Sequence, residues 1–252
     1  MRQLEPREYA AAGPALTEQR HHLAVAALLA GRVPGRVWTD QAAQPTLAVA
    51  QVKLHCFVGG GEQADAAEAV LALLEAVVIP EVQAGGQPGV MVHASPAAWA
   101  AGLDTALRDL LPESGPRQYY ERPVGPDEPP AAPPAGFSLR AADAALLAEP
   151  NLAGLEALRE EMCSERESVE AFLAQSFGVC AVQGEALAGW CLSEYNLGDR
   201  CEVGIATAPP YQRRGLATAL TRALLAAAGR HGIWRVGWHC WARNTASAAT
   251  AR

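Results

Sequence analysis

The chain is short of lysine, of paired cysteines and of long apolar runs, and each shortage excludes something. Lys53 is the only lysine among 20 basic residues; against 27 acidic residues the net charge is −7. No excess of positive charge is present to hold nucleic acid or an anionic membrane. No run approaches the roughly 20 apolar residues that span a bilayer. The start, Met1-Arg2-Gln3-Leu4-Glu5-Pro6, has no signal-peptide core, so no leader is expected. The cysteines (Cys56, Cys163, Cys180, Cys191, Cys201 and Cys240) form no CxxC pair and sit mostly in apolar, strand-like runs. They read as reduced, buried thiols, which predicts a cytoplasmic protein without a metal site.

What is present is core-forming material. Half of the 252 residues are hydrophobic, enough for one large domain or two ordinary ones. Abundant alanine and arginine at lysine's expense read as bacterial, GC-rich codon usage. The stretch 122–136, RPVGPDEPPAAPPAG, is dense in proline, which removes backbone donors and favours extended geometry. It predicts a linker between a smaller N-terminal α/β domain, 1–121, and a C-terminal domain, 137–252.

Periodicity gives the elements. In the N-terminal half, 6–30 reads as helix interrupted near Gly13-Pro14. Strands follow at 36–40 and 46–58, the latter one strand or a bent pair. Gly59-Gly60-Gly61 ends it as a flexible turn, since no Lys-Ser/Thr follows to make a P-loop. Val70, Leu73, Leu74, Val77 and Val78 share one face of a helix over 64–79 that Pro80 closes. A strand at 89–93, a helix at 96–111 and a last strand at 117–121 complete this half. The C-terminal half reads as a strand at 137–140, helices over 143–163 and a helix capped by Ser168. A hairpin, 177–182 with 186–194, follows, then a strand at 201–207, a helix at 215–231, a strand at 234–240 and a helix from Asn244. That order predicts a mixed α/β fold.

The most informative run is 202–217, EVGIATAPPYQRRGLA. A strand ends, two prolines stop pairing, and a turn with Gly215 feeds an apolar helix. Amides at a helix start have no partner inside the helix, and the helix dipole adds partial positive charge. A pyrophosphate fits there. Gly215 and Ala217 keep the approach open, and Arg213 and Arg214 offer charge-assisted contacts; an exposed arginine pair needs no such role. Asn244 reads equally as a helix cap or a ligand residue. Trp238 and Trp241 read as packing. His239 and Cys240, adjacent on a strand, point to opposite faces and make neither a metal pair nor a nucleophile pair.

On these residues the chain resembles the Gcn5-related N-acetyltransferase (GNAT) superfamily. Gln212-x-x-Gly215-x-Ala217 is similar to its coenzyme A motif, Gln/Arg-x-x-Gly-x-Gly/Ala. Segments 168–173, 177–180, 202–207, 214–218 and 238–247 resemble a bacterial subgroup that includes the zwittermicin A resistance acetyltransferase. Looser similarity extends over 35–40, Pro45 and the Trp99 helix. The resemblance implies a mostly antiparallel sheet flanked by helices, with acetyl-CoA in a cleft where the strand of Ile205, Ala206 and Thr207 splays from that of 234–240. The pantetheine arm would pair with 205–207 and the pyrophosphate with Gln212, Arg213, Arg214, Gly215, Leu216 and Ala217. Asn244 and Ser247 match positions that contact the cofactor arm.

The implied reaction is acetyl transfer to an amine of a small molecule by direct attack, without metal, nucleic acid or membrane; a homodimer is left open. An alkyl ammonium has a pKa of roughly 10, so a base helps at neutral pH. Glu202 stands at the spacing of the strand glutamate of many GNAT enzymes, and reads also as a solvated strand residue. A strand N–H at Ile205 or Ala206 would bind the oxyanion. Family members continue past this Asn-x-x-Ser with further strands and a tyrosine acid. Without them, truncation and an uncovered sheet edge at 234–240 are expected, Tyr195 becomes the substitute acid, and a non-catalytic acyl-CoA-binding or sensing module or an inactive protein is the alternative. The N-terminal domain reads as a degenerate GNAT-like fold.

Overall fold

A computed structural model of the protein describes residues 1–60, 64–95, 98–110, 113–129 and 131–252. Gly61 of the expected glycine turn, Pro96, Ala97 and Leu111 of the expected 96–111 helix, and Pro130 of the expected linker lie outside the described residues. The chain divides into two compact units, Met1–Gly115 and Pro116–Arg252.

The first unit runs β1 (Arg2–Gln3), α1 (Leu23–Leu29), β2 (Arg36–Thr39), β3 (Leu47–Val52), β4 (His55–Gly60), α2 (Ala64–Leu73), α3 (Ile79–Ala84), β5 (Met91–Ala94) and α4 (Ala98–Ala106). The expected 6–30 helix is two 3-10 segments, Pro6–Ala12 and Thr17–Gln19, before α1. The 46–58 stretch is a hairpin, β3 with β4, turning at Lys53, whose φ is 53°. Pro80 does not stop the helical path. A π segment, Leu74–Val78, joins α2 to α3, and Pro80 falls in the first turn of α3, where its missing N–H costs no hydrogen bond. β1 to β4 pair antiparallel in chain order, and β5 adds parallel to β4. The apolar stripe Val70, Leu74 and Val78 packs on Val49, Cys56 and Val58.

The second unit runs β6 (Arg117–Pro123), β7 (Ser138–Ala141), α5 (Ala144–Leu147), α6 (Leu155–Met162), α7 (Val169–Gln175), β8 (Gly178–Gln183), β9 (Ala186–Leu197), β10 (Arg200–Thr207), α8 (Leu216–Ala228), β11 (Arg235–Trp241) and α9 (Thr245–Ala251). The strand expected to end the first domain is β6, and it is hydrogen-bonded into this sheet: Tyr119 faces His239, and Arg117 faces Trp241, antiparallel. Pro123 faces Arg235, so the expected linker begins inside a strand. The edge expected to be bare at 234–240 is therefore covered.

The remaining strands repeat the plan of the first unit. β7 to β10 pair antiparallel in chain order and β11 adds parallel to β10. Strand alternation sorts the two faces. Val179, Cys191 and Cys201 meet Leu216, Leu220 and Leu224 of α8. Cys180, Val182 and Leu192 meet Leu146, Leu158 and Phe172 from α5 to α7. The Asp143 and Ser168 side chains cap α5 and α7 by accepting from Leu146 N and Ala171 N. The architecture is a mixed α/β fold in which the named strands pair antiparallel except β4 with β5 and β10 with β11.

Candidate functional site

The site lies where β10 leaves the sheet and α8 begins. Pro209–Tyr211 form a 3-10 turn, and the Gln212 side chain ties the loop back by donating to the Thr207 carbonyl at 3.1 Å. Arg213 and Gly215 are both left-handed, with φ of 63° and 79°. Glycine makes the second free of strain; at Arg213 the conformation costs roughly 1–2 kcal/mol. Leu216, 1 % exposed, anchors the first turn of α8 in the core, while Gln212 to Gly215 are exposed. Leu216 points inward at the helix start, and the first amides of α8 have no partner inside the helix, a combination that suits an anion. Arg214 lays its guanidinium over the Phe137 ring, 5.2 Å from the centroid.

Beside this turn the parallel pair opens. Its register runs through Arg200–Arg235, Cys201–Val236 and Glu202–Gly237 and stops, although β10 continues to Thr207 and β11 to Trp241. The backbone of Ile205, Ala206 and Thr207 thus has a strand, β9, on one side and the splay on the other. Val203, Ile205, Trp238, Cys240 and Ala248 pack on one another at the start of α9. Asn244 caps that helix, its Oδ1 accepting from Ser247 N at 3.0 Å, and Ser247 Oγ accepts from Trp238 Nε1 at 3.0 Å. These two polar side chains serve the helix start and the strand beneath it.

The opposite face of β10 gathers carboxylates. Glu202 lies directly across from Glu194 of β9. Two glycines make the room. A β-carbon on Gly204 would land on the Glu194 carboxylate, 3.2 Å from Glu161 Oε1, and one on Gly237 would lie 3.1 Å from Glu202 Cγ. Glu161 comes from α6, and Glu165 follows it, buried, accepting from Tyr195 N and 3.8 Å from Arg166 Nε. Burial pushes the Glu165 carboxyl up to about 7, with Glu202 adding to the rise and Arg166 opposing it. Burial raises Glu194 well above the carboxylate range, with Glu165, Glu161 and Glu202 adding to it, and raises Glu161 as well. Crowded like charges out of bulk water hold protons.

Tyr195 is 7 % exposed in a bulge of β9, with φ of 51°. Burial and the four neighbouring glutamates raise its hydroxyl well above its ordinary value. On the far side of Glu202, His239 Nε2 stands 3.3 Å from Glu202 Oε2, and Arg117 stands 2.6 Å from His239 Nδ1. Sequence reading missed Glu161, Glu165, Glu194, Arg117 and the part of His239. One signal was available: Glu194 and Glu202 each interrupt an apolar strand pattern on its inward face.

The geometry thus joins Glu202, Ile205, Ala206, Thr207 and 212–217 on one continuous strand, turn and helix. Asn244 and Ser247 sit at the head of α9, which packs beside α8. Tyr195 sits among the carboxylates. A protein-family model described as GNAT acetyltransferase matches residues 14–252. No curated protein matches the chain. Among solved structures, a GCN5-related N-acetyltransferase-like protein from Streptococcus suis aligns with a TM-score of 0.64 at 16 % identity, over 98 % of this chain and 93 % of that one. A GCN5-related N-acetyltransferase from Sphaerobacter thermophilus aligns at 0.54 and 14 %, over 96 % and 87 %. A tandem GNAT protein from the clavulanic acid biosynthesis pathway aligns at 0.53 and 13 %, over 97 % and 90 %.

Proposed function

Because the chain belongs to the GNAT acetyltransferase family, we propose that it moves an acetyl group from acetyl-CoA to the amine of a cationic small molecule by direct attack. The observation that carries this reading is the splay of β10 from β11 at the end where the chain turns into α8. An extended pantetheine arm would add to the free side of 205–207 as a strand adds to an edge, and the turn would take the pyrophosphate. Asn244 and Ser247, at the head of α9, are the residues we assign to the cofactor arm. Acetyl-CoA supplies the activated acyl group; the remaining work falls to the chain.

Glu202 takes the proton of the incoming ammonium, directly or through water. The strand N–H at Ile205 or Ala206 polarises the thioester carbonyl. Tyr195 is the proposed donor to the departing sulfur, though its raised hydroxyl makes it a reluctant one. Cys180, Cys191 and Cys201 are poor nucleophiles: burial pushes the Cys180 thiol up to about 12 and raises Cys191 and Cys201 too. That supports direct transfer over an acyl-enzyme. Glu161, Glu194 and Glu202 favour a positively charged acceptor, and the likeness to the zwittermicin A resistance subgroup supports an amino-bearing metabolite or antibiotic. The first unit repeats the same strand plan.

The test is calorimetry with acetyl-CoA, followed by thiol release in the presence of spermidine and of a neutral amine analogue. Binding with release only for cations supports the proposal. Binding without release from any amine would make the protein an acyl-CoA sensor, and absence of binding heat would remove the cofactor reading altogether.

A further inference from the structure

Beyond the reacting carboxylate, the edge strand β6 brings a second layer to Glu202. A guanidinium has only donors. With the Arg117 terminal nitrogen 2.6 Å from His239 Nδ1, that ring nitrogen must accept. A neutral imidazole has one acceptor and one donor, so the hydrogen sits on Nε2. Nε2 is the atom that faces Glu202 Oε2 at 3.3 Å. Arg117 is itself held, its guanidinium lying over the Trp241 ring at 5.3 Å, and the Tyr119 ring stands 5.9 Å from that of His239. Gly237 leaves no side chain beneath Glu202, whose Cγ occupies that room. The Arg117 and Tyr119 contacts follow from the β6–β11 register, which sets Tyr119 across from His239 and Arg117 across from Trp241, and the Glu202 contacts follow from its pairing with Gly237.

We propose that His239 is a positioning residue: in the Nε2–H tautomer fixed by Arg117, it directs that hydrogen at Glu202 Oε2, closes the 3.3 Å approach to a hydrogen bond when the acceptor amine binds, and aims the other carboxylate oxygen at that amine. The inference rests on Glu202 acting as the base. It also gives β6 a second task besides covering the sheet edge. The chain order Arg117–His239–Glu202 is a donor relay that orients, without itself touching the reacting atoms.

The experiment uses the full chain carrying 15N-labelled histidine. Two-bond 1H–15N spectra report which ring nitrogen holds the hydrogen, and His239→Gln identifies the His239 signal by its loss. The expected result is Nε2–H in the wild type, a mixture of tautomers in Arg117→Met, and a shifted Nε2 proton in Glu202→Gln. A hydrogen on Nδ1, or a His239 signal unmoved by both changes, overturns the proposal. With acetyl-CoA and spermidine, His239→Leu is expected to lower kcat about tenfold, the worth of one hydrogen bond to a charged group. KM for acetyl-CoA should stay unchanged, and His239→Gln, which keeps an N–H near the Nε2 position, should regain most of the rate. Full kcat in His239→Leu beside a slow Glu202→Gln removes the positioning role and leaves the base in place. Full kcat in Glu202→Gln removes the base, whatever the tautomer.

Discussion

Counted from the first bridge of each parallel pair, the two units carry the same residues at the second position: Cys56 with Val92, and Cys201 with Val236. At the third position they part. The first unit has Phe57 beside His93, rings stacked with centroids 4.7 Å apart, with His22 closing on both. The second unit has Glu202 beside Gly237. The first parallel pair runs in register to the end of β5, whereas the second opens after Glu202 while both strands continue. A shared apolar face holds the common plan. The opposite face decides the use: rings fill it in one unit, and glycines make room for buried carboxyls in the other.

The sharpest way to break this contrast is to remove the charge and keep the shape. Glu202→Gln should lower kcat for acetyl transfer by about 10²–10⁴-fold, the span of general base catalysis. Acetyl-CoA affinity measured by calorimetry should be unchanged. A rate within twofold of wild type would mean that the face holding Glu202 is as silent as the ring-filled face of the first unit.

The next contrast concerns the turn, and Gly86 of the first unit is its control. Gly86 and Gly215 both follow left-handed geometry, with φ of 83° and 79°. Any side chain at either costs roughly 1–2 kcal/mol of backbone strain. Gly215→Glu should also set a carboxylate against the pyrophosphate and weaken acetyl-CoA binding about 10–100-fold, the worth of a charge-assisted hydrogen bond. Gly86→Glu should cost similar stability and leave binding untouched. Equal binding losses in both variants would reduce the effect to general destabilisation.

How far these features were legible depends on how local they are. The turn at 212–217 and its flanking strand and helix are written in consecutive residues, so strand alternation, Pro209-Pro210 and Gly215 suffice to find them. The Ser168 cap is equally local. The fate of 117–123 is not. Its alternating pattern says strand, but which sheet it joins depends on pairing with 235–241, more than a hundred residues on. Pro80 misleads because the sequence does not reveal the π segment that restarts the helix ahead of it. The carboxylate cluster is hidden for the same reason as the β6 pairing: Glu161, Glu165, Glu194 and Glu202 come from a helix, a loop and two strands, and only the closed sheet sets them face to face.

The smallest effect is a matter of pH, and it separates the units by stability alone. Glu165 has a folded-state pKa raised to about 7 from an ordinary 4.5, and Glu194 is raised too. A carboxyl that holds its proton more tightly when folded favours the fold below its unfolded value, and that contribution is lost as pH rises through the folded value. The second unit should therefore weaken between about pH 4.5 and pH 7, as charge is forced into the crowded face. In hydrogen exchange corrected for intrinsic rate, amides of β9 and β10 should lose protection from pH 5 to pH 8, and those of β3 and β4 should hold theirs. Glu165→Gln with Glu194→Gln should flatten the slope; each 1 kcal/mol recovered at pH 8 corresponds to about 2–4 °C in Tm for a chain of this size. A cationic ligand would act in the same direction, since an ammonium beside these groups favours their ionised form and expels protons on binding. Equal loss of protection in both units, with the double variant as pH-sensitive as wild type, would mean the carboxylates are relaxed by water and the buried charge is no part of the site.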